Sequence, residues 1–330
     1  LLLAHPRDAL ALQWAHLWDF YRGDVAGLRG RPARALPEWD EADPLYPQVL
    51  GLLAFGLEES NLHAQAEDIG RRALSLDPRS PWAIHAVAHV MEMQGRFEDG
   101  GAWLQQHKPA WGGNGFAVHL WWHLALFRLE GLDTAGVRRV LDAHIAGDAL
   151  QITLNRVDAA AMLWRLHLLA EDVAEPAQAL LDSWGLDDGF AGHYAFNDVH
   201  ALIAMLAAGD MARAEAWCAR CAERVLQPED VARANHAMAR EVGLPLMRGL
   251  LAQARGEADA AAGALYAVRS QAQRFGGSHA QRDLIDLSLL AAAAAGGDGA
   301  RAMGRALLNE RRLAKPATPL TRHWAEALAR

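Results

Sequence analysis

Residues 52–78 read LLAFGLEESNLHAQAEDIGRRALSLDP, and this stretch decides the fold. Two segments rich in Leu and Ala, residues that favour helix intrinsically, flank a short polar break, EESN. Ala54, Ala66 and Ala73 put small side chains where two helices touch closely, and Pro78 stops the second helix. The unit is helix, tight turn, helix.

The unit recurs along the chain. Breaks of Gly with a following polar or acidic residue stand at Gly95-Arg96, Gly131-Leu132-Asp133, Gly209-Asp210, Gly256-Glu257 and Gly297-Asp298. Gly takes the left-handed conformation that ends a helix, and Asp or Glu suits the next helix N-terminus. Strand patterning is almost missing. The breaks lie roughly 36–47 residues apart, the regime of helical solenoids, and the small residues and proline of 52–78 are spaced as in a tetratricopeptide repeat. The expected fold is all-α: one helical-repeat domain over 1–330, an α-α superhelix with pairs at about 46–78, 81–107, 116–147, 155–184, 193–225, 241–274 and 279–311. HPRDALALQWAHLWDFYRGD adds a helix before Gly23. Segments 109–115, 184–189 and 226–230 read as longer loops over a groove. First (A) helices of such arrays line the concave side, which is where they bind.

Composition narrows the function classes. Of 330 residues, 52% are hydrophobic and 22% charged, so the chain is neither disordered nor unusually charged. Lys+Arg 32 against Asp+Glu 40 gives −8, which with no basic run argues against nucleic acid and anionic membrane as partners. No apolar run is long enough to span a bilayer. Two cysteines make no disulfide framework, so a cytoplasmic location is expected. Cys218 and Cys221 lie inside a B helix, the wrong context for a redox motif. The start LLLAHPRDAL, without Met, reads as the trimmed part of a longer protein.

Fifteen His and twelve Trp are high for this length, and the unusual polar residues favour A helices. His85 and His89, with Glu92, and then His119 and His123 have i, i+4 spacing, which puts each pair on one helix face. Neutral imidazoles suit Zn, Fe, Ni or Cu, and two or three His plus a carboxylate from Glu92, Asp158 or Asp198 is a usual catalytic set. His85, His89 and His119 are the expected ligands of a divalent transition metal. His123, Asp158, Arg165 and His200 are the expected catalytic groups, whether with a metal or in metal-free acid–base work. Arg248 and Arg282 would clamp an anionic group, and Trp122 and Trp164 would wall the ligand. The blander reading keeps these histidines half-buried, the tryptophans as packing and the arginines as inter-repeat salt bridges. No Walker A, GxGxxG, GxSxG or HExxH sequence occurs.

DEADP (40–44), WAIHAVAHVMEMQGR, FAVHLWWHLALFRLEG, DAAAMLWRL (158–166), HYAFNDVHALIAM, GLPLMRGLLAQARGE and GGSHAQRDLIDLSLL occur in an order that resembles the tetratricopeptide repeat protein 38 family over essentially the whole chain. The resemblance implies an α-α superhelix with only partly ordinary repeats, and a further helical repeat before HPRD. It implies no reaction. Two functions stay open: a scaffold binding a small-molecule or peptide ligand in its concave groove, and a small-molecule enzyme centred on His85, His89, His119, His123 and Asp158. They differ in whether the four imidazoles converge in a closed pocket.

Overall fold

The computed structural model describes residues 1–186, 189–227, 233–315 and 318–330. Parts of the loops expected at 184–189 and 226–230 lie outside the described residues. The described elements are helical. They pair as α1 (Ala9–Arg22) with α2 (Val25–Ala35), α3 (Tyr46–Glu58) with α4 (His63–Leu76), α5 (Pro81–Met93) with α6 (Phe97–Trp111), and α7 (Ala117–Glu130) with α8 (Thr134–His144). Then come α9 (Thr153–Leu168) with α10 (Ala174–Trp184) and α11 (Ala195–Ala207) with α12 (Met211–Val225). A short α13 (Ala234–Met238) runs through a π-helical turn, 239–243, into α14 (Leu244–Ala254), which pairs with α15 (Ala258–Arg269). Then α16 (His279–Ala295) pairs with α17 (Asp298–Ala314), and α18 (Pro319–Ala329) follows. The expected A helices thus fall on α3, α5, α7, α9, α11, α14 and α16.

The turns follow two local rules. Asp24, Asp133 and Asp210 cap the B helices α2, α8 and α12, their carboxylates accepting from Gly27, Gly136 and Arg213 amides. The left-handed residue is Gly at 95, 209 and 256 but Asn61, Leu132 and Ala170 elsewhere. At the third turn Gly131 stays right-handed (φ −79) and Leu132 turns (φ 57), so the glycine in the break does not mark the turning residue. At Gly297 the backbone is extended, and no left-handed residue is used.

Burial separates two layers. The B helices bury one stripe: α4 buries Ala66, Gly70, Ala73 and Leu74 only. The A helices are buried nearly all round, as α5 from Ala83 to Glu92 and α9 from Val157 to Leu166. A helix apolar on every face needs neighbours on every face. Here they come from the superhelix curling on itself. α16 lies among the A helices, touching α5, α9 and α14. The Trp164 indole donates to Ser288 Oγ (2.9 Å), Arg165 donates to the Ala280 carbonyl (2.7 Å), and Tyr194 Oη donates to the Tyr21 carbonyl (2.9 Å). The sequence leads one to expect an open concave groove; α16 occupies that side instead.

Candidate metal centre

α5 and α7 pack as neighbours in consecutive repeats, and their histidines stand 34 residues apart, His85 to His119 and, by the same offset, His89 to His123. Equivalent positions on stacked A helices face the same way, so the four rings meet. His85 Nε2 lies 3.1 Å from His123 Nε2, 2.9 Å from His89 Nε2 and 3.2 Å from His119 Nε2. The four rings are buried, and each offers an atom within 4.8 Å of the others.

Behind the rings stand carboxylates. Asp158 Oδ2 lies 2.7 Å from His119 Nδ1, Glu92 Oε2 3.0 Å from His123 Nδ1, and Glu58 Oε2 3.5 Å from His89 Nδ1. Gln281 Nε2 reaches Asp158 Oδ1 at 3.5 Å. Trp122 stacks on His119 (5.4 Å between centroids, 14° between planes) and fixes that ring from its face. Three of the four ligand-type histidines thus have Nδ1 turned to a carboxylate and Nε2 turned inward, the arrangement that orients imidazoles on a metal.

The contacts among the Nε2 atoms cannot all be hydrogen bonds. An imidazole nitrogen carries either one N–H or one lone pair in the ring plane. His85 Nε2 meets three other Nε2 atoms, so at least part of this set brings lone pairs together. A metal about 2.0–2.1 Å from each nitrogen would place neighbouring ligand nitrogens about 2.9–3.4 Å apart, which matches the three distances from His85. Burial, helped by the neighbouring rings, holds His85, His89 and His123 well below the ordinary histidine range, so they are neutral and ready to ligate. Burial also raises the Glu58 and Glu92 carboxyls to about 7. A dry pocket with no cation takes up protons instead.

A narrow cleft leads to this centre. Leu17, Phe20, Tyr21, Phe55, Trp82, Phe116 and Leu154 form its apolar and aromatic walls, and His16, His85, His119 and Gln281 complete the lining; its volume is ≈ 60 Å³.

The other expected site residues are placed elsewhere. Arg165 is buried with its face over Trp122 (5.5 Å) and its N–H groups on the Ala161 and Ala280 carbonyls, tying α9 to α16. His200 Nδ1 donates to the Phe196 carbonyl (2.7 Å), packs on the Phe196 ring and is held to about 4 by burial; it is not in the cluster. Trp164 is fixed by Ser288. Arg248 is exposed, within electrostatic reach of Cys218. Arg282 is taken by Glu59 (2.9 Å) and the Gly277 carbonyl. Cys218 and Cys221 are buried free thiols, with no His beside them in a ligand group among the described residues. The anion clamp expected from Arg165, Arg248 and Arg282 is therefore not assembled, because two of the three are committed to internal acceptors and the third faces solvent.

Sequence reading missed Glu58 and a second buried group, Glu58, Glu59 and His279, in which His279 Nδ1 lies 3.3 Å from Glu58 Oε1. Arg282 and a His279 raised above its ordinary value, despite burial, by Glu59 and Glu58 balance these two carboxylates. The signal was present: Glu58 and Glu92 share the 34-residue offset of the histidines, since 92 − 58 = 34.

No known family profile matches the chain. Among solved structures, a tetratricopeptide repeat protein from Parabacteroides merdae aligns over 85% of this chain and 98% of that one, at 15% identity and a TM-score of 0.42. An overlap that partial carries no argument about this chain. No helix among the described residues is long and apolar enough to cross a membrane.

Proposed function

We propose that this helical-repeat protein is a metal-dependent small-molecule enzyme. His85, His89, His119 and His123 hold one divalent transition metal, and the cleft beside His85 and His119 admits the substrate. One observation carries the reading: His85 Nε2 meets three other imidazole Nε2 atoms at 2.9–3.2 Å, with carboxylates behind the partner rings. A cation satisfies these nitrogens together; hydrogen bonds among them do not. Zn, Fe, Ni and Cu suit an imidazole set, and a bound metal would supply Lewis-acid polarisation of a substrate oxygen.

The chain's own part is positional. Asp158 and Glu92 orient His119 and His123, Trp122 blocks rotation of His119, and the aromatic walls keep bulk water out. Because α16 fills the side that a peptide would use, the open-groove scaffold is the weaker reading. We also infer membership of the tetratricopeptide repeat protein 38 family, supported by six of the seven A helices, all but α3, overlapping the stretches that carry the resemblance, and a reducing, cytoplasmic setting, supported by the two free thiols.

A second reading has its own support. The 2.7 Å contact of His119 Nδ1 with Asp158 at the cleft is the geometry of a His–Asp general base. Elemental mass spectrometry of the untagged protein beside a His85→Ala/His89→Ala variant separates the two. Near-stoichiometric metal lost in a variant of unchanged circular dichroism is the expected result. No metal in either protein, even after incubation with Zn, Fe or Mn, overturns the metal reading and leaves the acid–base one.

A further inference from the structure

His16 belongs to α1, takes no part in the histidine centre above, and is 1% exposed. Neither of its ring nitrogens has a hydrogen-bond partner. The Leu28 carbonyl lies near the ring without reaching hydrogen-bond geometry. Buried polar groups are normally paired, and an unpaired one in a native fold asks for a reason. His16 lines the cleft that ends on His85 and His119. Its ring meets Phe55 at 6.0 Å and Trp82 at 6.4 Å, and the same two rings meet His85 at 5.3 and 6.3 Å. His16 and the histidine centre therefore face one space across two shared aromatic walls.

The chemistry of that space is narrow. No Lys, Arg, Asp or Glu lines it, so in metal-free protein an ion entering would lose its hydration with no opposite charge to replace it. Its ≈ 60 Å³ is several times the roughly 10–15 Å³ that one water needs on the same measure, room for a slender molecule of a few heavy atoms. A slender chain enters; a folded peptide does not.

We propose that this cleft is the substrate pocket of the histidine centre and takes a small, uncharged, slender apolar molecule with one hydrogen-bonding group, such as an alcohol, held by His16. The proposal rests on the metal reading for the word substrate, and on the cleft alone for the ligand class.

Three isosteric probes test it: 1-butanol, butanoate and butylammonium, followed by saturation-transfer NMR on metal-loaded and chelator-treated protein. 1-Butanol is expected to bind at least about tenfold more tightly than either ion. His16→Phe weakens it by about tenfold, the loss of one hydrogen bond to a buried group, and His16→Gln restores part. Leu154→Trp, which leaves His16 in place and adds bulk to the cleft lining, blocks binding and serves if His16→Phe does not fold. In the chelator-treated protein, where no bound cation attracts an anion, equal or tighter binding of butanoate or butylammonium overturns the proposal, as does 1-butanol affinity unchanged in folded His16→Phe or Leu154→Trp protein. Metal content of the same samples separates the two ideas. Bound metal with no 1-butanol binding overturns the pocket and leaves the metal centre. Selective, His16-dependent binding in protein that takes no metal supports the ligand class and overturns the metal centre.

Discussion

Two of the buried polar regions of the molecule are built on opposite principles. Around α16, α17 and α18, Asp283 pairs with Arg311, and Glu130 with Lys315 at 3.6 Å. Arg311 and Lys315 hold the Asp283 carboxyl well below the usual carboxylate range against its burial. Every charge there has an opposite charge from the chain itself. Between α5 and α7 the polar atoms of like kind face one another, with carboxylates behind them. The first region is electrostatically finished by folding; on the metal reading proposed above, the second is finished by a guest. Both are buried and polar, so burial alone does not identify a site. The informative property is whether the chain supplies the partner.

The largest expected effect breaks this contrast directly. Arg311→Ala strands Asp283 in the interior and is expected to cost about 3–5 kcal/mol by chemical denaturation, with or without metal. His85→Leu, measured in metal-free protein, replaces a crowded imidazole by an apolar side chain of similar size and is expected to change stability by less than about 1 kcal/mol. If His85→Leu costs as much as Arg311→Ala, the histidine cluster is a finished structural network and the contrast fails.

Next in size is the effect of the guest. A ligand that binds only the folded state adds about 4 kcal/mol at a thousand times its dissociation constant. Adding Zn to chelated wild type is expected to raise the unfolding midpoint accordingly, to leave His85→Leu unmoved, and to act in Arg311→Ala as in wild type. A Zn effect that survives His85→Leu would place the ion elsewhere, with Glu58, Glu59 and His279 as the first place to look.

Much of this was legible in the sequence, and what was missed has a pattern. The helix pairs were readable because Ala, Leu and Gly punctuation act locally. His85, His89, His119 and His123 were readable because i, i+4 spacing fixes a shared face, and the repeat then fixes which faces meet. Asp158 was readable as the polar residue on the next A helix. His16 was not, because no second His stands four residues from it and it acquires its role only through neighbours in the fold; Glu58 left only its 34-residue offset from Glu92 and meets His89 from 31 positions away, as 89 − 58. The position of α16 was not readable either. Curling of the superhelix sums small rotations at every pair, and no short stretch encodes it. That missing fact misled the arginine assignments: Arg165 and Arg282 look free on paper and are consumed by α16 and Glu59.

A smaller effect sharpens the role of the carboxylates. Glu92→Gln keeps the shape beside His123 but removes the charge that orients it, and outer partners of this kind are worth about 10–100-fold in metal affinity. Competition with a chromophoric chelator reads this loss. Unchanged affinity would mean that His123 is held by packing alone.

The pH dependence of that affinity is the finest test. Burial holds His85, His89 and His123 neutral well below the ordinary 6.5, so a metal displaces no proton from them near neutrality. Burial raises Glu58 and Glu92 from 4.5 to about 7, so below that pH each carries a proton that must leave when its histidine binds metal. Affinity is therefore expected to be flat above about pH 7 and to fall below it, by up to about tenfold per pH unit for each carboxylate. Glu92→Gln removes one of the two and makes the fall shallower. In metal-free protein the same groups act on folding with the opposite sense. A carboxyl near 7 when folded and 4.5 when unfolded gives stability fully present below 4.5 and lost as pH rises through 7. Protons and metal are thus alternative ways of settling one pocket, the acid-stable form being the metal-free one. An exposed HxxxH pair behaves differently, losing metal from 6.5 downward as its own rings protonate. If Glu92→Gln leaves the slope unchanged, the protons come from the imidazoles, and the cluster is less buried in solution than its geometry requires.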